Sequence, residues 1–413
     1  MAETDKLNVI IVALGTMGDL NPLLQIGVKL RALGNKVTIL TDATKEPFVC
    51  QCGLEYHCVL SEQDWQSFIG HSGLWDRLTS DAIVYRHLML PTVLPIVSFV
   101  EEAILESKTL LVGDVKTLGL RIANEKFNVP LVNIHLAPEY SNSFGEFENQ
   151  SHEITVLKQL NHLRARFGLL EPVRELTMNW AAKCNLRINA YPQWFHGISN
   201  TEYANSEWFD FIFDEQAGEA LPDDVDIFIK GGAAPVVFTL GTGLGIVDRF
   251  FKAAGEVCNL LNLRAIFLCK EAVHIPQKLP DSVLVKKYLP MSQLLKRCRA
   301  IVHHGGVGTT AQAFRAGLPQ IVMPMAFDQF GNAVRVSDLK TGFTLPMHQL
   351  DASQLKLTLE KLLGDEMIAQ QCHRLAASFQ GNAAAEAIAK RITTLGKTAK
   401  FEPASELLDV DFI

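Results

Sequence analysis

The sequence predicts an α/β protein built from two doubly wound parallel sheets, and three observations lead to this fold class. Short β-rich runs alternate with segments of helical periodicity, which is typical of parallel sheets covered by helices. This alternation starts twice, each time with an apolar strand that ends in a glycine-containing turn. The chain has 413 residues, of which 48% are hydrophobic and 20% charged, and is therefore long and apolar enough for about two or three well-filled domains.

The first βαβ unit begins near the N-terminus. Residues 8–14 form the predicted strand, residues 15–19 form the turn, and apolar residues then recur at helical spacing. Asn21 and Pro22 are typical of the first positions of a helix, so the helix is expected to start there. The next strand is expected at residues 36–40.

A second unit of the same kind starts with a strand at residues 235–240 and a turn at Gly241–Gly243. A helix is expected at residues 246–261, and further strands at residues 264–268, 283–285, 300–303 and 320–323. The acidic, Gly- and Pro-containing stretch between the units favours a linker. The predicted division is an N-terminal domain at 1–205, a linker at 206–232, a C-terminal domain at 233–395 and a tail at 396–413.

Charge and hydropathy exclude several classes of partner. The formal net charge is −7, so the chain has no basic surplus for nucleic acid or an anionic membrane. The N-terminus lacks the basic region and cleavage site of a signal peptide. The apolar segment Val84–Val100 is too short and too interrupted by prolines to span a bilayer. The sequence therefore predicts a cytoplasmic protein, with weak peripheral association with a membrane left open.

The cysteines are expected to be reduced, buried thiols. Cys50, Cys52 and Cys58 lie near His57, but a structural zinc site needs a second pair of ligands that the sequence does not provide. No Asp-x-Asp motif, the usual sign of a metal-bound diphosphate, lies near either glycine-containing turn. We therefore expect no metal and no cofactor.

The segment His303–Thr310 carries the strongest chemical signal. It leaves a strand, turns through three glycines and opens a helix, whose free N–H groups and dipole favour an anion. Gly306 and Gly308 let the backbone approach a ligand closely, and His304 is positioned to donate a hydrogen bond to a phosphate oxygen. Thr309 and Thr310 add hydroxyl donors. This pattern favours a diphosphate.

Two other strand ends are expected to face the same ligand. Thr242, in the turn Gly241–Gly243, offers a hydroxyl from a neighbouring strand end. Asp328 and Gln329 follow the predicted strand at residues 320–323, where carboxylate and amide groups suit the hydroxyls of a sugar. The alternative for Asp328 is a helix cap. The local sequence leaves both interpretations open.

With these motifs, the sequence resembles the GT-B family of nucleotide-sugar-dependent glycosyltransferases that contains the plant and mammalian UDP-glycosyltransferases. The resemblance extends to the bacterial branch with rhamnolipid rhamnosyltransferases and sterol and antibiotic glycosyltransferases. It covers residues 8–392, and its most specific part is His-Gly-Gly-x-Gly-Thr followed about twenty residues later by Asp-Gln-Phe-x-Asn. The resemblance implies two facing Rossmann-like domains and transfer of a hexose from a UDP- or dTDP-sugar.

The resemblance also implies roles for residues of the C-terminal half. The diphosphate is expected to contact Thr242, His304, Gly306, Gly308, Thr309 and Thr310, and the donor sugar to contact Asp328 and Gln329. Tyr288 and Leu289 lie where the family places its base-binding loop, although plant members have Trp at the position of Tyr288. Gln312 lies where plant members often have the Glu that binds the ribose.

In the N-terminal half, the resemblance points to the turn before the first helix. Gly18 and Asp19 match the family's catalytic loop, where many plant members have His and the bacterial lipid and sterol branch has Asp. Gly18 is expected to contact the donor nucleotide sugar. We therefore predict Asp19 as the general base, with a helix-capping Asp as the alternative. Asp114 ends a predicted strand and either raises the pKa of Asp19 by like-charge proximity or is an ordinary strand-end Asp.

The resemblance implies a single displacement with inversion and without a metal. The acceptor is expected to be a small lipophilic alcohol or acid, bound by apolar residues of the N-terminal half, in the Trp65–Trp75 region, the Val84–Val100 segment and the loop 134–144. Three other classes of protein share features of this sequence. A dinucleotide-dependent oxidoreductase needs a glycine spacing that is missing here. The other two are a non-hydrolysing nucleotide-sugar epimerase and a non-catalytic nucleotide-sugar-binding protein.

Overall fold

The computed structural model describes residues 6–138, 147–176, 180–197, 205–213, 220–240, 247–379, 381 and 383–399. Two parallel sheets organise this part of the chain. The predicted fold class, two doubly wound Rossmann-like domains, is confirmed. Most predicted strands agree with the observed ones to within one or two residues, because each is an apolar run bounded by turn residues.

The first sheet has seven strands in the order β3-β2-β1-β4-β5-β6-β7. Its strands are β1 (Asn8–Val12), β2 (Lys36–Asp42), β3 (Glu55–Leu60), β4 (Thr109–Gly113), β5 (Leu131–His135), β6 (Leu186–Asn189) and β7 (Ser206–Trp208). The strand order reverses between β1 and β4, where Val12 pairs with Gly113. The loops that follow these two strands therefore diverge to opposite faces and leave a crevice between them.

The second sheet has six strands in the order β10-β9-β8-β11-β12-β13. Its strands are β8 (Val236–Thr239), β9 (Ala265–Leu268), β10 (Val283–Lys286), β11 (Ala300–His303), β12 (Gln320–Val322) and β13 (Gly342–Thr344). Here the order reverses between β8 and β11, where Thr239 pairs with His303. Both sheets thus have a topological switch point, which is where open α/β sheets bind ligands.

Helices cover both faces of each sheet. Those of the first half are α1 (Met17–Ala32), α2 (Glu46–Gln51), α3 (Glu62–Ile69), α4 (Ser80–Val84), α5 (Val93–Glu106), α6 (Leu118–Phe127), α7 (Phe147–Arg166) and α8 (Gln193–His196). Those of the second half are α9 (Asp223–Lys230), α10 (Val247–Leu260), α11 (Met291–Leu294), α12 (Val307–Ala316), α13 (Gln329–Asp338), α14 (Ala352–Gly364), α15 (Glu366–Ala376) and α16 (Ala384–Thr398).

Helix α1 begins earlier than predicted. Its N-cap is Thr16, not Asn21, and Pro22 lies inside the helix. A capping box between Thr16 and Asp19 accounts for the difference. It satisfies N–H groups at the start of the helix, so the helix begins before Pro22 is reached. Pro22 has no N–H to donate to the carbonyl of Gly18. The start of this helix was therefore predicted wrongly, and Asp19 lies within its first turn.

The observed elements also differ from the predicted domain limits. Strand β7 pairs with β6 in the first sheet, although its residues lie in the predicted linker. Helix α9 packs with Val225 and Ile229 against the second sheet, so it adds to the C-terminal domain. Helix α16 returns to the N-terminal domain, where Ile388 and Ile392 join the cluster of β1 and α1. The last helix therefore ties the two domains together.

The cysteines differ from their prediction in one respect. All eight are free thiols, but Cys50 and Cys58 are exposed and Cys52 is partly exposed. They lie on α2 and β3, at the edge of the first sheet, where little of the fold covers them. Within the described residues, no single helix has the length and apolar character to cross a membrane. The pair Ser80–Met89 and Val93–Glu106 meets that criterion only when taken together, with a bend of 46°.

Candidate active site

Asp19 lies at the switch point of the first sheet, in the first turn of α1. The backbone N–H of Thr16 donates to Asp19 Oδ2 over 2.8 Å, and the Thr16 hydroxyl donates to the same oxygen over 3.1 Å. Gly15 has φ +122°, and a Cβ atom there would lie 2.4 Å from Asp19 Oδ2. Within the described residues, Oδ2 is the oxygen of this carboxylate that accepts hydrogen bonds. The geometry therefore leaves Oδ1 available to a ligand.

The carboxylate of Asp19 is both a capping group and a group with a raised pKa. Its side chain is open to solvent, yet protein atoms surround it closely enough to limit its hydration. Burial is the main cause that raises its pKa from 3.8 to about 6, the Thr16 hydrogen bond opposes this, and the nearby carboxyl of Asp328 adds to it. A carboxyl with this pKa is a stronger base at neutral pH than an ordinary Asp.

Lys116 is a cleft residue that the sequence analysis missed. It follows β4, the strand beside β1, and its Nζ lies 3.5 Å from Asp81 Oδ1. Its charge lowers the pKa of both Asp19 and Asp328. Burial alone would lower the pKa of Lys116, but Asp81, Tyr85, Asp114 and Asp328 outweigh this and raise it, so the ammonium stays charged. The available signal was its position three residues past a strand at the predicted switch point.

Asp114 is an ordinary strand-end Asp. Its Oδ1 accepts a hydrogen bond from the backbone N–H of Lys116 over 2.9 Å, which closes the turn after β4. The carboxyl that raises the pKa of Asp19 belongs to Asp328, which lies in the other domain. The suggestion that Asp114 raises this pKa is therefore replaced by Asp328.

The glycine-rich turn leads from β11 into α12, as predicted. Gly306 is the N-cap of α12, so the free N–H groups of the first helical turn point out of the sheet at the second switch point. A Cβ atom on Gly306 would lie 2.6 Å from His304 Nε2, so the close packing of this ring needs a glycine here. Gly308 is exposed with open space around it. The turn thus presents backbone N–H groups beside an imidazole.

His304 is neutral at pH 7. Burial lowers the pKa of its imidazole to about 4. Its Nδ1 is buried and has no hydrogen-bond partner within the described residues. By contrast His303 is tied down, because its Nε2 lies 3.0 Å from Gln320 Oε1 and its Nδ1 accepts from the N–H of Gly305 over 3.2 Å. Of the two histidines, His304 is the one with spare hydrogen-bonding capacity.

Thr310 takes a different role from the one predicted. Its side chain is fully buried, and its hydroxyl donates to the carbonyl of Gly306 over 3.0 Å. The backbone N–H of Thr310 donates to the same carbonyl over 3.1 Å, so both donors of this residue are used within its own helix. Thr309 is partly exposed on the same turn. A contact of the Thr310 hydroxyl with a phosphate is not compatible with this rotamer, while the contact of Thr309 stays a prediction.

Asp328 lies at the N-terminus of α13 but does not cap it, since its side chain makes no capping hydrogen bond. Its Oδ2 accepts from Asn332 Nδ2 over 2.8 Å, and the same nitrogen donates to the carbonyl of Gly305 over 2.8 Å. Burial raises the pKa of Asp328, while Asn332 and Lys116 oppose this. The sequence signature Asp-Gln-Phe-x-Asn therefore has a structural basis, because Asn332 links this carboxylate to the glycine-rich turn.

Gln329 supports the loop before α13. Its Oε1 accepts from the backbone N–H groups of Met325 and Ala326, over 2.9 and 3.2 Å. Only 3% of the residue is exposed. Its amide oxygen is thus used within the loop, and the predicted contact with a donor sugar is confined to the amide nitrogen.

The remaining predicted donor residues lie in the loop after β10, in α12 or outside the described residues. The ring of Tyr288 is 72% exposed, whereas the side chain of Leu289 is buried in the core. Leu289 can therefore contact a ligand only through its backbone. Gln312 lines a pocket of about 220 Å³ between α11 and α12, with Gln293 and Arg315. Thr242, in the turn after β8, is outside the described residues.

Apolar side chains lie on the same loops as the charged residues of the site. Leu14, Val115 and Phe327 belong to or pack against one apolar cluster. They come from the loops that carry Asp19, Lys116 and Asp328, respectively. Trp75, from the predicted acceptor region, contacts Phe327 with ring centroids 5.6 Å apart. The part of the loop 134–144 beyond residue 138 lies outside the described residues.

His135 lies inside the fold of the N-terminal half. Its side chain is buried at the end of β5, and burial, Arg187 and His196 lower its pKa well below the usual value. Within the described residues, no group of three or more His, Cys, Asp or Glu side chains is arranged to hold a metal ion. The chemical groups that converge at the two switch points are thus two carboxyls, a lysine, a neutral histidine and a helix N-terminus.

Comparison with known proteins identifies this arrangement. Residues 265–395 match the family model described as Erythromycin biosynthesis protein CIII-like, C-terminal domain. The NDP-glycosyltransferase YjiC of Bacillus subtilis (strain 168) is 23% identical over 403 residues, which cover 95% of this chain and 98% of that protein. The match at the C-terminus spans the glycine-rich turn, the loop before α13 and the helices that follow.

Solved structures agree with the fold. The calicheamicin glycosyltransferase CalG4 superimposes with a TM-score of 0.76 at 20% identity, covering 96% of this chain and all of that one (100%). The spinosyn rhamnosyltransferase SpnG, complexed with thymidine diphosphate, superimposes with a TM-score of 0.66 at 18% identity, covering 94% and 99%. The chain is therefore a glycosyltransferase with the GT-B fold.

Proposed function

We propose that the protein is an inverting glycosyltransferase that moves a hexose from a UDP- or dTDP-sugar to a hydroxyl or carboxyl of a small lipophilic acceptor. The observation that carries this proposal is the pairing of Asp19, on the N-terminal domain, with Asp328, on the C-terminal domain. The two carboxyls come from facing domains. Asp19, the more basic one, suits an acceptor, and Asp328, beside the glycine-rich turn, suits a donor sugar.

Asp19 is the general base in this proposal. Its Oδ1 accepts the proton of the acceptor hydroxyl while the acceptor oxygen forms a bond to the anomeric carbon of the donor. The bond from that carbon to the diphosphate oxygen breaks in the same step, and its electron pair leaves with the diphosphate. One displacement from the opposite face inverts the configuration at the anomeric carbon. The capping hydrogen bonds from Thr16 hold the carboxylate in a fixed orientation for this step.

The leaving diphosphate is stabilised by the turn before α12. Backbone N–H groups of the first helical turn and the neutral His304 donate to it, which offsets the negative charge that grows on its oxygens. In this proposal these protein donors replace a divalent cation. Transfer that requires added magnesium or manganese, and is abolished by EDTA, would contradict this part of the proposal.

The donor is a pyrimidine nucleoside diphosphate sugar. SpnG, which shares the fold, binds thymidine diphosphate, and this supports dTDP as readily as UDP for the present chain. The exposed ring of Tyr288 is available to stack on the base, and Gln312 lies in a pocket suited to the ribose. Asp328 accepts hydrogen bonds from the hydroxyls of the donor sugar, and Asn332 holds this carboxylate in place.

The acceptor is lipophilic because the surface beside Asp19 is apolar. Leu14, Val115 and Phe327 join one apolar cluster and lie on the loops that carry Asp19, Lys116 and Asp328. An acceptor bound there meets apolar side chains on one side and the base on the other. The solved structure of CalG4 is that of a calicheamicin glycosyltransferase, a precedent for an organic small-molecule acceptor on this fold.

The substitution Asp19→Asn tests the base. The amide cannot accept the proton, so we expect kcat to fall by about a hundredfold to ten-thousandfold while the Kd for UDP or dTDP stays within about twofold. Initial rates with UDP- and dTDP-hexoses and binding by calorimetry measure both effects. The control is Thr16→Ser, which keeps the capping hydroxyl and should keep turnover. Unchanged turnover in Asp19→Asn would refute the assignment.

The relatives favour transfer over the two remaining alternatives. YjiC and CalG4 are named as glycosyltransferases, not as epimerases. An epimerase would convert the sugar of the nucleotide without an acceptor, and a binding protein would do neither reaction. Chromatography of a UDP- or dTDP-hexose incubated with and without acceptor therefore separates the three. We expect release of the nucleoside diphosphate that depends on the acceptor.

A further inference from the structure

We propose that Trp75 is a positioning residue for the donor sugar, and that it acts through Phe327 on the loop that carries Asp328. The proposal rests on the role of Asp328 given above. It makes the donor-sugar site dependent on a side chain of the N-terminal domain, because Trp75 lies between α3 and α4 while Phe327 precedes α13.

The contact between the two rings crosses the domain boundary. The ring centroids of Trp75 and Phe327 are 5.6 Å apart, and their planes meet at 77°, the edge-to-face arrangement that aromatic pairs prefer. Phe327 belongs to the second domain, yet it packs against the apolar cluster of the first. A neighbouring contact joins the same segments, since the guanidinium of Arg77 lies 5.4 Å from the ring centroid of Phe330.

The backbone of Phe327 is strained. Its φ of +58° lies in the left-handed region, which residues with a Cβ atom rarely adopt. Such a conformation persists only where the surrounding structure holds it, and it is concentrated at functional sites. Here the packing of the ring against Trp75 and the apolar cluster supplies that hold.

The strained residue is directly followed by Asp328. The loop is anchored from within its own domain on either side, because Gln329 Oε1 accepts from the N–H of Met325 and Asn332 donates to Asp328. The ring of Phe327, in contrast, is held from the N-terminal domain. Relaxation of Phe327 to a negative φ would rotate the peptide that leads into Asp328 and turn the carboxylate away from its present direction. Trp75 therefore fixes the direction of the Asp328 carboxylate, and it does so through Phe327.

The test compares two ligands that differ only in the sugar. Full-length protein and its variants are titrated with UDP and dTDP, and then with UDP-glucose and dTDP-glucose. We expect Trp75→Ala to leave the Kd of the diphosphates within about twofold and to weaken the sugar nucleotides about fivefold to tenfold, a typical coupling between linked sites. Trp75→Phe keeps an aromatic edge and should restore most of the loss.

Two further variants ask whether the effect passes through Phe327. Phe327→Ala should reproduce the loss, and the double variant with Trp75→Ala should be no worse than either single one, because both act on the same contact. Phe327→Gly should lose less than Phe327→Ala, since glycine adopts the positive φ without strain. The matched control is Phe99→Ala, which removes another ring from the same cluster, one that packs on His57.

The outcomes separate this inference from the proposed function. Equal weakening of diphosphates and sugar nucleotides in Trp75→Ala, or the same losses in Phe99→Ala, would overturn the inference and leave the donor site intact. Additive losses in the double variant would also overturn it. Failure of the unmodified protein to bind any of the four ligands would overturn the donor site and the inference together. Melting temperatures of all variants identify any that do not fold, and Trp75→Phe then carries the comparison.

Discussion

Asp328 raises the pKa of Asp19 across the boundary between the two domains. Each carboxyl is supplied by a loop at the switch point of its own sheet, so their proximity depends on how the sheets face each other and not on either sheet alone. Lys116 lies among them and lowers the pKa of both. The charge of the proposed base is therefore set by residues from three different loops.

The first prediction concerns the pH dependence of transfer. Because Asp19 must be ionised to accept a proton and its pKa is raised to about 6, kcat/KM should rise with pH up to about 6 and level off above it. Below that value it should fall about tenfold per pH unit. Initial rates between about pH 3.5 and about pH 8, a range that includes the ordinary and the raised pKa of Asp, measure the profile. An acidic limb near the ordinary pKa of Asp would contradict the raised value.

The second prediction concerns Lys116. Replacing it with Met removes a positive charge that favours the ionised form of Asp19, so the acidic limb of kcat/KM should move to higher pH. Lys116→Arg restores the charge and should restore the limb. Asp81→Asn breaks the ion pair between Asp81 and Lys116 but leaves the ammonium in place. The acidic limb of this variant should therefore stay near that of the unmodified protein. A limb that moves equally in Asp81→Asn and Lys116→Met would show that the ion pair, not the charge, matters.

The sequence predicted the fold and the position of the glycine-rich turn because both depend on local signals. Apolar runs bounded by glycine located the strands, and the glycine-rich turn located α12. The start of α1 was missed because two capping signals lie close together there, and the capping box at Thr16 prevails over the proline signal at Pro22. Propensity alone does not rank such competing local signals.

What the sequence could not reveal depends on contacts between distant segments. Lys116 reaches the cleft only because β4 pairs with β1, about a hundred residues away along the chain. The buried rotamer of Thr310 and the use of the Gln329 oxygen within its loop are set by packing around the turn. The strained φ of Phe327 likewise arises from a ring of the other domain. No window of sequence contains these relationships.

The third prediction concerns proton uptake at His304. The imidazole of His304 is neutral, with a pKa of about 4, and a bound diphosphate favours the charged form, so this pKa should rise on binding. Binding of UDP or dTDP should therefore take up protons and tighten as the pH falls from about 6.5 to about 4.5, a range between the ordinary and the lowered pKa of His. Calorimetry in buffers of different ionisation enthalpy counts these protons.

A variant separates the histidine from the ligand's own phosphates, which also titrate in this range. His304→Gln keeps a hydrogen-bond donor but has no titratable ring, so only the proton uptake due to the phosphates should remain. Its kcat should fall by about tenfold to a hundredfold, somewhat less than for loss of an oxyanion donor outright. Equal proton uptake by His304→Gln and the unmodified protein would show that His304 does not contact the diphosphate.

The last prediction uses two glycines that both have a positive φ but differ in their surroundings. Gly15 has φ +122°, and an added Cβ atom would lie 2.4 Å from Asp19 Oδ2. Gly34 has φ +90°, and a Cβ atom added there would have nothing within 4 Å. Alanine at either position strains the backbone and should destabilise the fold by roughly 1 kcal/mol or more. At Gly15 alone it also displaces the proposed base.

Gly15→Ala should therefore lower both the melting temperature and kcat, the latter by about tenfold to a hundredfold, whereas Gly34→Ala should lower the melting temperature alone. Binding of UDP or dTDP should be retained in both, because the glycine-rich turn lies in the other domain. Thermal unfolding and initial rates are measured on the same preparations. Since the strain is common to the two variants, a selective loss of turnover in Gly15→Ala reports the displaced carboxylate. Equal turnover in both would mean that the orientation of Asp19 at the start of α1 does not limit the reaction.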